Sequence, residues 1–358
     1  MPRQKEIDRW LLGAALVTAV LGVVVVGSAS GPLAREYYHL PETDFAVRQF
    51  IAVCLGLAGM LAATLVPLER ITRTRIAAPL LLINWAALAL ALLQSPVAGT
   101  HRWVRLAGVS FQPSALAKIT LPLALAALLA RPRGRGEDAP RDFRPALAAA
   151  AITVGLVLIG PDLGSSVLLL ATAMSVLLLA ELPWRTIALV AGVALLAFIA
   201  AIAVNPYMLK RLSDFFGKTS YHVHQSLIAI GDGGLLGLGP GKSLQKLFFL
   251  PQPHSDFIFS VVGEELGLIG ALVVIALLAV IVTRGFIAAR HAHSHACALL
   301  AGGLATSLSV QALLNVSVCL DLIPAKGLPL PLVSAGGSDV AMNLVGIGLL
   351  LNVGKEGS

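Results

Sequence analysis

Apolar positions along this chain come in long blocks separated by short polar or Gly/Pro-rich intervals. A bilayer core takes roughly 20 consecutive, mostly apolar residues as helix. About ten blocks meet or approach that length: 10–29, 46–66, 77–94, 113–130, 145–159, 165–180, 184–204, 257–283, 296–320 and 330–353. The fifth and sixth are short and almost continuous, so Gly160-Pro161-Asp162-Leu163-Gly164 must form a tight turn. Helices are the economical solution, because each helix pairs its own backbone polar groups inside the bilayer. Nothing alternates with period two over about ten residues, as barrel strands would. The expected fold is therefore an all-α integral membrane protein, a polytopic bundle of about ten transmembrane helices. It forms one transmembrane domain across 1–358, with a long extracytoplasmic loop, 205–256, between the seventh and eighth helices. The first block lacks a small-residue cleavage site and is expected to stay as a membrane helix.

Composition agrees: 57% of residues are hydrophobic, 13% are charged and the mean hydropathy is +0.86, which excludes a soluble domain. Charge supplies the orientation. With the N-terminus inside, the inner segments hold Arg3, Lys5, Arg9, Arg70, Arg73, Arg75, Arg131, Arg133, Arg135, Arg141, Arg144, Arg185, Arg284, Arg290 and Lys355. The short outer segments hold Arg35, Arg48, Arg102, Arg105 and Lys326. That bias places both termini in the cytoplasm, and it accounts for the net charge of +7 without invoking nucleic acid. Cys54, Cys297 and Cys319 all fall in apolar blocks, where thiols act as small apolar groups and no disulfide is implied. His291, His293 and His295 lie on an inner loop with no carboxylate nearby in sequence to complete a metal site, and read as solvated.

Against this apolar background the segment from His254 to Gly267 stands out, with Asp256, Glu264 and Glu265 at the mouth of a long apolar block. Carboxylates there are costly and suggest a function. Asp256 has two readings from spacing alone: a helix cap ahead of an apolar run, or a catalytic carboxylate. Glu264 and Glu265 lie about two helical turns further in, where pairing with a buried cation or shaping a cavity is expected. The outer loop also carries Gly231-Asp232-Gly233-Gly234-Leu235-Leu236-Gly237-Leu238-Gly239-Pro240-Gly241-Lys242-Ser243. It is no nucleotide-binding loop, because Leu236 stands where that motif needs glycine and no strand precedes it. Its glycines read as turns that let backbone approach something closely; anion binding through exposed N–H groups is the alternative.

Taken in order, Arg102-Trp103-Val104-Arg105-Leu106, Phe111-Gln112-Pro113-Ser114 through Lys118, Pro161-Asp162-Leu163-Gly164, Gln225 to Gly231, the Asp256 segment, Leu322 to Pro331 and Ser334-Ala335-Gly336-Gly337-Ser338 resemble the SEDS proteins of shape, elongation, division and sporulation. The resemblance spans essentially the whole chain. Ser243 to Lys246 and Lys326-Gly327 look more like the division branch (FtsW) than the elongation branch (RodA).

The resemblance implies a peptidoglycan glycosyltransferase in the bacterial cytoplasmic membrane, its active site facing outside. It would polymerise lipid II, a disaccharide-pentapeptide on undecaprenyl diphosphate, beside a class B penicillin-binding protein and other divisome or elongasome proteins. Asp256 matches the family's catalytic Asp and is the expected general base. Stabilising the leaving diphosphate needs positive charge or a metal. Outer-side cations are Arg102, Arg105, Lys118, Arg211, Lys242, Lys246 and Lys326, of which Arg102, Lys118 and Lys326, with Asp162, are the expected substrate-binding residues. Lys118 stands inside an apolar block, where snorkelling is its plain explanation. Asp162 would pair with Lys118 or, with Asp256, help hold a divalent cation such as Mg²⁺. The chain departs from the family pattern at Ala115, where Glu is usual, at Gly160 for Gln and at Ala335 for Tyr. Asp162 or Glu265 is expected to compensate for the missing Glu. Two rival classes are a lipid-linked precursor flippase or carrier, for which the chain lacks an evident second copy of a repeat, and a non-catalytic scaffold for a transpeptidase. Gly13, Gly22 and Gly27 in the first block suit close helix packing, within the bundle or with a partner's helix.

Overall fold

The computed structural model describes residues 7–97, 99–106, 109–130, 142–217, 221–247, 249–250, 252–324 and 327–357. In chain order it contains α1 (Arg9–Tyr38), α2 (Asp44–Leu65), α3 (Leu68–Ile71), α4 (Thr74–Leu93), a hairpin of β1 (Val104–Leu106) and β2 (Val109–Phe111), α5 (Pro113–Leu129), α6 (Arg144–Ile159), α7 (Leu163–Leu179), α8 (Trp184–Val204), α9 (Pro206–Phe216), α10 (Tyr221–Gly233), α11 (Ile258–Arg290), α12 (His295–Cys319) and α13 (Gly337–Gly357). Seven of these are long and apolar enough to cross a bilayer (α1, α2, α4, α8, α11, α12 and α13), and α5, α6 and α7 are shorter apolar helices in the remaining predicted blocks. The fold is the expected helical membrane bundle.

Its starts and stops follow local chemistry. Asp8 caps α1, accepting the amides of Trp10 and Leu11 at 3.1 Å each, and also takes Arg284 Nε of α11 at 2.6 Å. α5 begins with Pro113 at its first turn, where a missing N–H is harmless. α5 and α12 form the centre, apolar and buried almost all round, whereas α8 faces lipid, with 6% of its apolar window buried. α2 lies close against α13: a Cβ on Gly56 would stand 3.0 Å from Ala341 Cα, and one on Gly348 would collide with Met60 O. In α1, Gly22 packs against the backbone of Leu332 and Gly27 faces Ala46, so both serve the bundle itself; a Cβ on Gly13 would meet nothing within 4 Å.

Four local features differ from expectation. The last block becomes helical only at Gly337, because Pro329, Pro331 and a left-handed Leu332 (φ 63°) hold the preceding chain in turns. The outer loop contains two helices, α9 and α10. The hairpin escaped notice because three-residue strands are too short for periodicity to register. Finally, α11 is broken at Gly267 (φ 68°, ψ −168°).

The break is where the glycine-rich segment finds its role. Interrupting a helix frees carbonyls on one side and amides on the other, and both must be satisfied when buried. The carbonyls of Glu264 and Glu265 accept the amides of Leu238 and Gly239 at 2.9 and 3.0 Å. The amides of Leu268 and Ile269 donate to the carbonyls of Gly234 and Leu235 at 2.9 and 3.3 Å. The outer loop is thus spliced into the broken helix by four backbone bonds. Contact is so close that a Cβ on Gly233, Gly237 or Gly267 would run into the facing backbone, and Gly237 and Gly267 also have positive φ. The close approach foreseen for these glycines is to the protein's own backbone.

Candidate functional site

One end of the bundle brings together the end of α1, the start of α2, the chain from Thr100 to Trp103, the turn ahead of α7, the outer loop, the turn ahead of α11 and the chain from Gly327 to α13. Asp256 sits in the turn before α11, half-buried, and does not cap that helix: Phe257 occupies the cap position and no side chain bonds there. Its backbone carbonyl accepts Asn315 Nδ2 at 3.0 Å; the same amide donates to Leu328 O at 2.8 Å. A neighbouring bond, Ser334 Oγ to Ser255 O at 2.7 Å, ties the turn to the chain before α13.

Arg102 meets this carboxylate across Gly327. A Cβ on Gly327 would lie 2.9 Å from Arg102 Nη1 and 3.1 Å from Asp256 Oδ2, so the glycine leaves room where acid and base face each other. The guanidinium is aimed by Nε to Thr100 Oγ1 (2.7 Å) and Nη1 to Gly327 O (3.2 Å). Burial pushes the Asp256 carboxyl up to about 6, against the pull of Arg102 and Arg211 and with a push from Asp162. Burial also drives the His254 imidazole down to about 4, so it is uncharged at neutral pH.

Asp162 is a helix cap. Its Oδ1 accepts Ser165 N at 3.2 Å and its Oδ2 accepts Ser165 Oγ at 2.7 Å, at the start of α7. It also lines a cavity of about 120 Å³ with Arg102, Arg211, Gly327 and, from the lipid-facing α8, Phe198 and Ile202. The expected Asp162–Lys118 pair does not form. Lys118, 5% exposed, directs its Nζ to Asp339 Oδ1 (2.5 Å), Asn343 Oδ1 (2.6 Å) and Gln311 Oε1 (2.9 Å), which engages all three of its donors. The carboxylate absent at Ala115 is therefore supplied by Asp339 of α13, and neither Asp162 nor Glu265 compensates for it. Asp339, Asn343, Gln311 and Asn315 were not singled out in the sequence. Their signal was there: two pairs of polar residues, each four apart, on otherwise apolar helices, which puts each pair on one face.

Glu265 accepts Lys246 Nζ at 2.8 Å and Ser28 Oγ at 2.7 Å. Glu264, fully buried, accepts Ser243 Oγ and the amides of Leu244 (2.7 Å) and Gln245 (3.2 Å). The amides that hold this carboxylate lie just past the glycine-rich segment, which itself contributes only Ser243 Oγ; Leu238 and Gly239 within it donate to backbone carbonyls. Lys242 and Arg105 are exposed, and Lys326 lies outside the described residues. Among the described residues no three His, Cys, Asp or Glu side chains gather as a metal site. His291 and His293 turn to Ile287 O (2.9 Å) and Cys297 Sγ (3.8 Å), and none of Cys54, Cys297 and Cys319 is in a disulfide.

A second, larger cavity of about 640 Å³ lies on the other side of the Asp256 turn, with Tyr37, Tyr38, Phe45, Trp103, His254 and Ser255 among its walls.

Comparison with known proteins gives a consistent picture. The family model for FtsW, RodA and SpoVE, described as cell cycle proteins, matches residues 8–358. A protein of Coxiella burnetii called "Probable peptidoglycan glycosyltransferase FtsW" is 35% identical, the alignment covering 98% of this chain and 96% of the relative. One of Halorhodospira halophila with the same name is 38% identical over 98% and 91%. Among solved structures, a chain of a peptidoglycan synthase complex that coordinates polymerization and crosslinking superposes with a TM-score of 0.77 at 29% identity, covering 98% of both chains. The Thermus thermophilus rod shape determining protein RodA superposes with a TM-score of 0.72 at 30% identity, covering 97% and 96%.

Proposed function

The chain belongs to the FtsW, RodA and SpoVE family of cell cycle proteins, and from that membership and its site we propose that it is a peptidoglycan glycosyltransferase polymerising lipid II at the outer face of the cytoplasmic membrane, with Asp256 as general base. The observation that carries this reading is a half-buried carboxylate raised to about 6 beside Arg102 and Arg211. A base poised near the working pH is what proton abstraction from an acceptor hydroxyl needs. In the step itself the acceptor oxygen attacks the anomeric carbon of the donor as the bond to the lipid diphosphate breaks. The acceptor's proton goes to Asp256, and the bonding electrons leave with the diphosphate. Arg102 and Arg211 line the small cationic cavity and take the growing negative charge.

Asp162 shapes that cavity as the cap of α7. Lys326 remains a further outer cation for the substrate. Lys118 is assigned to locking α5, α12 and α13 together, because its three donors are engaged away from the Arg102 cavity. The outer orientation rests on the arginine-rich inner segments, and a class B penicillin-binding partner is supported by the similarity to a chain of a synthase complex that couples polymerization to crosslinking.

The test is glycan polymerisation from purified lipid II by the wild-type chain with its cognate class B partner, beside Asp256→Ala. Polymer from wild type alone supports the assignment. Polymer from both removes Asp256 as the base, and none from either favours transport or scaffolding.

A further inference from the structure

The Asp256 turn separates two cavities of different chemistry. Arg102 and Trp103 are consecutive just ahead of β1, and they line different cavities: Arg102 the small one, Trp103 the large one. The same division falls at Ser255 and Asp256. Ser255 lines the large cavity, whereas the Asp256 carboxylate reaches toward Gly327, which lines the small one.

Their sizes and charges differ in the same sense. The small cavity, at about 120 Å³, lies below the ~300–1,000 Å³ range of organic-ligand pockets, which suits a phosphate-sized group better than linked sugar rings. Two arginines face it, and Asp162, its one acidic side chain, is engaged by Ser165. Phe198 and Ile202 of the lipid-facing α8 form part of its wall. The large cavity, at about 640 Å³, falls within the ~300–1,000 Å³ range of organic-ligand pockets. Its cation, Arg48, is already paired with Asp44 at 2.7 Å, and its histidine is uncharged. What remains is a neutral chamber walled by Tyr37, Tyr38, Phe45 and Trp103, with Phe45 stacked at a tilt on His254 (4.8 Å between centroids) and Tyr38 tilted on Phe45 (5.7 Å). Flat aromatic faces beside hydrogen-bonding side chains suit sugar rings, whose C–H faces are apolar and whose edges are hydroxylated.

We propose that the aromatic chamber is a saccharide subsite that receives the acceptor glycan, leaving the small cationic cavity to the donor's diphosphate, with Asp256 at the partition between them. This rests on the glycosyltransferase reading and deepens it by assigning the two substrates to opposite sides of the base. A bland alternative exists for the aromatics, since Tyr and Trp also gather at bilayer interfaces as anchors, and the test separates the two.

Full-length protein in detergent is titrated with chitotetraose, a soluble uncharged β-linked amino-sugar oligomer, and separately with inorganic pyrophosphate. The comparison is between wild type, Trp103→Ala, Tyr38→Ala and Arg102→Ala, each first shown to unfold at the wild-type temperature. Tyr38 is 57% exposed, so its truncation leaves the fold intact. The expected result is at least a tenfold loss of chitotetraose affinity in Trp103→Ala or Tyr38→Ala with pyrophosphate binding unchanged, and the reverse in Arg102→Ala. Chitotetraose binding that ignores both aromatic variants, or that is absent from wild type, overturns the proposal. Polymerisation of lipid II by the same wild-type preparation, supplied with its cognate class B partner, is measured in parallel. Polymer without an aromatic-dependent saccharide site sinks the subsite alone, whereas absence of polymer sinks the glycosyltransferase reading beneath it.

Discussion

Asp256 and Lys118 are both charged groups held at the heart of an apolar protein, and their surroundings give them opposite uses. Asp256 holds its carboxylate beside Gly327 and Arg102 and is raised to about 6 by burial. If it is the base, it works ionised, so polymerisation should be near its plateau above pH 7 and fall about tenfold per unit below pH 6; a pH–rate profile with lipid II checks this, and a flat profile from pH 5 to 8 would contradict it. Asp256→Asn should lower the rate by ~10²-fold or more without moving the unfolding temperature. Lys118 instead spends every donor on Asp339, Asn343 and Gln311. Removing one member of a buried pair leaves the other uncompensated at a cost of ~3–5 kcal/mol. Asp339→Leu should therefore unfold well below wild type in a detergent melt, and Asp339→Leu with Lys118→Met should recover most of the loss.

At the scale of elements, the apolar blocks made the ten main helices legible, because hydrocarbon thickness dictates their length. The chemistry of ends was less so. The start of α13 at Gly337 depended on prolines that a hydropathy window averages away. The partners of Lys118 lie about 190 to 225 residues further along the chain, and no local rule joins them. Asp256 and Arg102 were readable as a candidate general base and a candidate substrate-binding cation, but only folding sets them either side of Gly327. The glycine-rich segment was recognised as a place of close approach, while its counterpart, the break at Gly267, was hidden inside an apolar run. Because a Cβ on Gly237 would enter the Glu265 backbone and its φ is +80°, Gly237→Ala should part the splice. Limited proteolysis in the outer loop should then become much faster than in wild type; unchanged cutting would show that the four backbone bonds hold without it.

Over the whole molecule, charge asymmetry and geometry point the same way. The Asp8–Arg284 pair, at the start of α1 and in the later half of α11, lies at one end of the bundle, and Asp256, Arg102 and both cavities at the other. A single cysteine placed at Glu42 in an otherwise cysteine-free chain should react with a membrane-impermeant maleimide on intact cells, whereas one at His291 should react only after permeabilisation. The opposite pattern would invert the protein and place its site inside.

The splice at Gly267 also has a bearing on length. With Gly234 to Gly239 fastened to Glu264 to Ile269, the intervening chain is a closed circuit anchored at both feet, and Asp256 belongs to the firmly rooted returning limb. Circuit closure depends only logarithmically on contour, so six extra residues in a stretch of about 24 would cost about 0.2 kcal/mol. Beside Gly241, where a Cβ meets nothing within 4 Å, the loop can therefore lengthen or shorten while Asp256 stays in register.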